Sequence, residues 1–221
     1  MCGRFTATFE FREIKVRWNL HGDLIGLTPR YNIAPSQQVP VIVREESGNR
    51  LKVMRWGLVP SWAKDPSMGQ RMINARAETL SEKPSFKRLL GKRRCLVPAD
   101  GFYEWRKEGK RKVPVWVYLE NKDPFAFAGL WDLWKPPEGE ELYSFTIITT
   151  AANERLRPVH DRMPVILEWG SGEKWLDPTY TSFSDLSVLL QPFPSERLKA
   201  HDVSTRVNSP MNDTEACIEP A

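Results

Sequence analysis

The most chemically informative residue of this 221-residue chain is the cysteine at position 2. Met followed by a small residue is the pattern trimmed by methionine aminopeptidase, and removal of Met1 leaves Cys2 with a free α-amine and a thiol on adjacent carbons. Such an amine, with an ordinary pKa near ~8, keeps about a tenth of its population unprotonated at neutral pH, and that fraction condenses with an aldehyde to an imine. The thiol then adds to the imine carbon and closes a five-membered thiazolidine, far more durable than the imine. An internal cysteine lacks the amine and cannot do this. Taken alone, position 2 also fits a small residue with no chemistry.

Other residues supply what such chemistry needs. Glu104 stands in Phe102-Tyr103-Glu104-Trp105, where partly apolar surroundings raise a carboxyl pKa and let it hold and donate a proton near neutrality. The other reading of Glu104 is an ion pair with a neighbouring Arg or Lys. His160 is one of three histidines, set between ionic neighbours and an apolar strand. It titrates where imine formation needs both donors and acceptors, or it is a structural hydrogen bonder. Asn74 carries an amide able to orient an amine or a phosphate, or to form a turn. Arg4, Arg76 and Arg162 each sit near one of these groups, where a guanidinium grips a phosphate bidentately. Trp62, in a Pro-Ser-Trp loop, is either core or a platform on which a base stacks, an interaction of roughly 1–3 kcal/mol.

Cys95 lies in an apolar Cys-Leu-Val-Pro run and reads as buried and inert, while Cys217 lies in a polar tail. Three cysteines are an odd number with no metal-type spacing, so neither a disulfide nor structural zinc is expected, and no cofactor motif occurs.

Hydrophobic residues make up 41% of the chain and charged residues 27%, enough to bury a core as one domain over residues 1–221. Nine Trp, ten Phe and five Tyr accompany a net charge of +4 and a pI near 9.0. Cations beside flat apolar rings suit a nucleic acid. Between Lys83 and Lys112 there are 11 Lys or Arg against Asp100, Glu104 and Glu108; the run is either a solvated face or positive potential around the aromatics. No stretch approaches the ~20 apolar residues of a membrane span, and no secretory pattern opens the chain, so a cytoplasmic location and no membrane partner are expected.

These residues must be carried by a mainly β scaffold. Phe11, Ile14 and Trp18 predict a short amphipathic helix within Phe9–Leu20. Val39–Val43 and Leu51–Trp56 flank the turn-forming Glu46-Ser47-Gly48-Asn49 and predict a hairpin. Further strands are expected at Arg94–Val97, Phe102–Trp105, Val115–Leu119, Phe125–Trp131 and Leu142–Thr150. Shorter helices are expected at Phe86–Leu90, Ala152–Leu156, Glu173–Leu176 and Asp185–Leu190, too few for alternating βαβ units. The fold class is therefore α+β: curved antiparallel β-sheets, barrel-like, with a few short peripheral helices.

Six motifs occur in register: Met1-Cys2-Gly3-Arg4-Phe5, Tyr31-Asn32-Ile33-Ala34-Pro35, Trp56-Gly57-Leu58-Val59-Pro60-Ser61-Trp62, Asn74-Ala75-Arg76-Ala77-Glu78-Thr79, Ala99-Asp100-Gly101-Phe102-Tyr103-Glu104-Trp105 and His160-Asp161-Arg162-Met163-Pro164. In this order they resemble the SOS-response-associated peptidase (SRAP) family along the whole chain. The resemblance implies binding of single-stranded DNA and cross-linking of Cys2 to abasic sites in the DNA damage response. Asn74, Glu104 and His160 would assist, and Arg4, Trp62, Arg76 and Arg162 would hold the strand. It also implies autoprocessing at the N-terminus and weak lyase activity. A monomer is expected. Two rivals are a thiol peptidase with Cys2 as nucleophile and His160 as base, and a non-catalytic single-strand binding module.

Overall fold

In the computed structural model, residues 2–22, 27–136 and 138–221 are described. The strands, in chain order, are β1 (Arg4–Ala7), β2 (Leu20–His21), β3 (Arg30–Ile33), β4 (Gln38–Glu45), β5 (Gly48–Trp56), β6 (Asn74–Arg76), β7 (Arg94–Ala99), β8 (Gly101–Glu108), β9 (Arg111–Leu119), β10 (Phe125–Trp134), β11 (Leu142–Ala151), β12 (Arg162–Pro164), β13 (Ile166–Leu167) and β14 (Leu198–Asp202). The α-helices are short: α1 (Phe11–Arg17), α2 (Pro84–Lys87), α3 (Trp169–Leu176) and α4 (Phe183–Ser187).

Two sheets form. One runs β14-β9-β8-β1-β3; the other runs β12-β11-β10-β7-β4-β5-β2. In the second, β11 also pairs in parallel with β5 through Ser144 opposite Arg55 and Phe145 opposite Trp56, which closes β5-β4-β7-β10-β11 into a five-stranded barrel. Closure removes the exposed edges that open sheets must otherwise protect. The expected class, α+β with curved barrel-like sheets and few short helices, is the observed one.

Aromatic packing decides where the chain's start lies. Phe5 on β1 is fully buried, with its ring 5.2 Å from Trp56 and 5.6 Å from Phe127, both edge-on; Trp56 in turn stacks on Phe145 at 6.4 Å. Edge-to-face pairs add about 0.5–1.5 kcal/mol each beyond area burial. Inserting Phe5 into this group pins β1 to the barrel, and with it the residues three positions earlier. The strand then passes between sheets at Asp100, which accepts hydrogen bonds from the Thr6 hydroxyl (2.6 Å) and the Thr8 amide (2.9 Å) and so ties the β7–β8 crossing to β1.

The predicted hairpin forms as β4–β5, with Glu45 paired to Gly48, so the turn itself is Glu46-Ser47. Glu173–Leu176 lies inside α3, and the other predicted helices are shorter than their patterns: Phe9–Leu20 reduces to α1, Phe86–Leu90 to α2 and Asp185–Leu190 to α4, which Ser182 caps. Ala152–Leu156 is not a helix. Hydrogen-bonded turns closing on the Asn153 and Leu156 carbonyls stand in its place, and Pro158, which has no N–H to donate, interrupts the ladder that would join them into a helix. Strand β14 escapes prediction because Leu-Lys-Ala-His-Asp alternates too weakly. Cys217 is not in a solvated tail: it is fully buried with Tyr103, Val203 and Val207 in a second small core, formed by apolar residues too widely spaced to register as a pattern. Cys95 is buried in the main core as expected. Among the described residues, no helix is long and apolar enough to cross a membrane.

Candidate active site and nucleic-acid cleft

Four segments remote in sequence meet where the two sheets adjoin. Cys2 directly precedes β1, and the pairing of Arg4 with Tyr103 sets that end of β1 against β8, which carries Glu104. Asn74 opens β6 and pairs with Ile147 on β11; Ala151 at the end of β11 pairs with Arg162, two residues beyond His160. All four residues proposed for chemistry are thereby gathered at one place. Asn74 donates its amide N–H to the Cys2 carbonyl at 2.8 Å. Its Oδ1 is buried and has no hydrogen-bond partner among the described residues, so an acceptor stands ready beside the chain's second residue.

Cys2 is completely buried, and Glu104 is 2% exposed. Burial pushes the Glu104 carboxyl above the ordinary carboxylate range, opposed by nearby positive charge, His160 included. That is the environment of a carboxylic acid that keeps its proton toward neutrality. Burial also pushes the Cys2 thiol up, and the charge of Glu104 adds to the effect. The resting sulfur is therefore a thiol, not a preformed thiolate. His160 is partly exposed, with Nδ1 lying 2.9 Å from the Arg162 amide nitrogen and 2.8 Å from an Asp161 carboxylate oxygen. A neutral ring accepts from the amide; a protonated one donates to the carboxylate. Nδ1 thus faces both a donor and an acceptor.

The arginines divide. Arg76 is exposed, with no ion pair among the described residues. Arg162, by contrast, forks onto Glu78 at 2.6 and 2.9 Å and donates to the Thr149 carbonyl at 2.6 Å, and hydrogen bonding from it holds the Glu78 carboxyl below the usual range. A phosphate reaches Arg162 only by displacing Glu78. Arg4 turns away altogether, donating to Asn32 Oδ1 and to the carbonyls of Val207 and Asn208 at 2.8, 2.6 and 2.9 Å. Two of these partners lie 203 and 204 residues on, where local sequence does not reveal them.

Beside Asn74 opens a cleft of about 290 Å³ lined by Arg71, Met72, Arg76, Lys83, Phe86 and Arg162. A second, about 380 Å³, holds Trp62, Lys64, Met68 and Arg71. Arg71 borders both, and Asp65 also lines the second. Trp62 is 52% exposed, an open ring rather than a core residue. Its loop is held by the close approach of Gly57 to Gly69: a Cβ on Gly57, at φ +123°, would lie 2.6 Å from the Gly69 carbonyl oxygen. Sequence reasoning missed Arg71, which no motif marks, and Lys83, which was submerged in the basic run. Three of the 11 cations in that run are internal wiring. Arg88 pairs with Asp132, Arg94 donates to the carbonyls of Leu90, Trp175 and Asp177, and Arg106 grips Asp202.

The sequence matches the family described as SOS response associated peptidase (SRAP) over residues 1–210. The chain belongs to the SRAP family. Among its relatives is "Abasic site processing protein YoqW" of Bacillus subtilis (strain 168), 49% identical with 99% of each chain covered. Another, "Abasic site processing protein HMCES" of Gallus gallus, is 39% identical over 87% of this chain and 66% of its own length. A crystal structure of a Bacteroides thetaiotaomicron protein superposes with a TM-score of 0.90 at 30% identity, covering all of both chains. The fold seen there is thus the fold of this chain.

Proposed function

We propose that this SRAP protein captures abasic sites in single-stranded DNA by forming a thiazolidine through Cys2. The convergence of Cys2, Asn74, Glu104 and His160 at the head of a basic, aromatic cleft carries this reading, and the names of the relatives supply the damaged sugar as the aldehyde. Residues 1–221 act as one domain and as a monomer.

An abasic sugar is mostly a closed hemiacetal. Protonated Glu104 gives a proton to the ring oxygen as the C1′–O bond breaks, while the anomeric hydroxyl, polarised by His160, passes its proton to water, and the C1′ aldehyde opens. The Cys2 amine, held by Asn74 at its own carbonyl and facing an amide acceptor, attacks C1′; water leaves and an imine forms. The thiol then adds across the C=N bond, its proton passing to nitrogen, and the ring closes. β-Elimination that nicks the strand proceeds from the same imine, so ring closure competes with lyase activity and keeps it weak. The raised thiol argues against a peptidase that attacks with a standing thiolate.

The test is an oligonucleotide carrying one abasic site, resolved from its protein adduct under denaturing conditions. An adduct is expected with the natural site and none when the sugar has been reduced to the alcohol; equal yields from both overturn the reading. For the cleft, replacing Arg71 or Arg76 with alanine should weaken binding to undamaged single strands and flatten the salt dependence by about one phosphate contact each. Titrations at several salt concentrations check this, and unchanged slopes in both variants would place the strand elsewhere.

A further inference from the structure

We infer that residues 207–213 form a clasp that positions Cys2 against Glu104, with Arg4, Asn32 and Asn208 as its positioning residues. The inference rests on the capture reading above and adds to it a part of the chain that no motif marks.

The observations concern where the hydrogen bonds of this stretch go. Arg4, two residues beyond Cys2, donates to Asn32 Oδ1 and to the Val207 and Asn208 carbonyls. Asn32 is completely buried, and its Nδ2 faces the carbonyls of Val207, Ser209 and Asn212 at 3.1, 3.0 and 2.7 Å. Asp213 closes the loop by accepting from the Tyr31 and Asn32 amides at 2.5 and 2.8 Å and pairing with Arg30. The second strand is held from the same place: Asn208 Oδ1 accepts from the indole N–H of Trp105, the neighbour of Glu104, at 2.8 Å, and the Tyr103 hydroxyl donates to the Tyr31 carbonyl at 2.7 Å.

The strand carrying the nucleophile and the strand carrying the acid are therefore fastened to one seven-residue stretch. Apart from one short 3-10 turn at Thr205–Asn208, that stretch has no regular structure of its own, so these side-chain bonds determine its path. A phosphate-binding Arg4 would leave its guanidinium toward solvent; here three of its N–H groups are spent inside the protein. Capture requires the amine, the acid and C1′ in register, and a misplacement of about 1 Å costs on the order of 100-fold in rate.

The experiment compares Arg4→Lys and Asn208→Ala with the wild type, measuring the single-turnover adduct rate at saturating abasic DNA and, separately, the Kd and salt slope for the undamaged strand. Lysine lacks the fork that reaches Asn32 and both carbonyls, whereas alanine at 208 releases only the Trp105 link and spares the backbone. The clasp predicts a saturating rate lowered roughly 10- to 100-fold for Arg4→Lys and several-fold for Asn208→Ala, with Kd within about twofold and the slope unchanged. An unaltered Kd also shows that both variants are folded. Saturating rates equal to wild type in both variants overturn the clasp and leave the capture reading standing. So does a weakened Kd with a flatter slope and a normal rate for Arg4→Lys, which would make Arg4 a phosphate ligand. Absence of any wild-type adduct overturns the capture reading and the clasp with it.

Discussion

Replacing Cys2 with alanine is expected to abolish the denaturant-stable DNA adduct while leaving most of the affinity for undamaged single strands. Alanine at position 2 keeps the α-amine, so the aldehyde can still be met, but only as an imine that water reverses. The durable step is addition of sulfur to the imine carbon, and no other thiol takes its place: Cys95 is buried in the main core on β7 and Cys217 in the second core, and neither carries an α-amine. Affinity is expected to survive because the proposed phosphate and stacking contacts fall to Arg71, Arg76, Lys83 and Trp62, which line the clefts, and not to the thiol. Gel separation under denaturing conditions gives the yield, and binding titrations give the affinity. Serine is expected to do little better, since its hydroxyl is a poorer nucleophile than sulfur. An adduct of unchanged yield in the alanine variant would sink the mechanism.

Glu104→Gln should slow capture of a natural abasic site by roughly 10²–10⁴-fold, the usual contribution of a positioned acid or base, yet spare the reaction of Cys2 with a small free aldehyde, which needs no ring opening. Two pH effects follow from the raised carboxyl pKa. Capture by the wild type falls as pH rises through that value, because the proton donor is lost, and it falls at low pH as the amine becomes protonated. Glutamine removes the alkaline fall that belongs to Glu104. Stability moves the other way. A carboxyl whose folded-state pKa lies above its unfolded value near ~4.3 contributes stability that is full below that value and lost as pH rises through the folded one. Glutamine, neutral throughout, should therefore raise the Tm near pH 7 and lose this advantage near pH 4. Equal slowing toward both aldehydes would assign Glu104 to the Cys2 amine or thiol instead.

The candidates for chemistry stood out by type, a cysteine at position 2, a carboxylate among aromatics and a histidine among ions, while their meeting at one place depends on the fold. The longer strands, β4, β5 and β7 to β11, were legible for a related reason, since alternation and turn residues are local signals and the β4–β5 hairpin contains both; β1, β2, β3, β6, β13 and β14 are too short or too weakly alternating to carry such a pattern. Legibility ended where a residue's role depends on a distant partner. Arg4 and Arg162 look alike in sequence, each beside a reactive group, but one is consumed by carbonyls at the far end of the chain and the other by Glu78. Nothing within ten residues of either discloses that. The same holds for Cys217, whose polar neighbours conceal burial against Tyr103, and for Arg71, whose place between two clefts is a matter of folding alone.

Intact mass spectrometry of the protein mixed with a single-stranded oligonucleotide bearing one abasic site tests thiazolidine capture most directly, read before and after borohydride. The account predicts one adduct, equal to the protein lacking Met1 plus the oligonucleotide less one water, with a mass that borohydride leaves unchanged because the ring has no C=N bond to reduce. An adduct on protein that retains Met1, or one that gains two hydrogens on reduction, would contradict it.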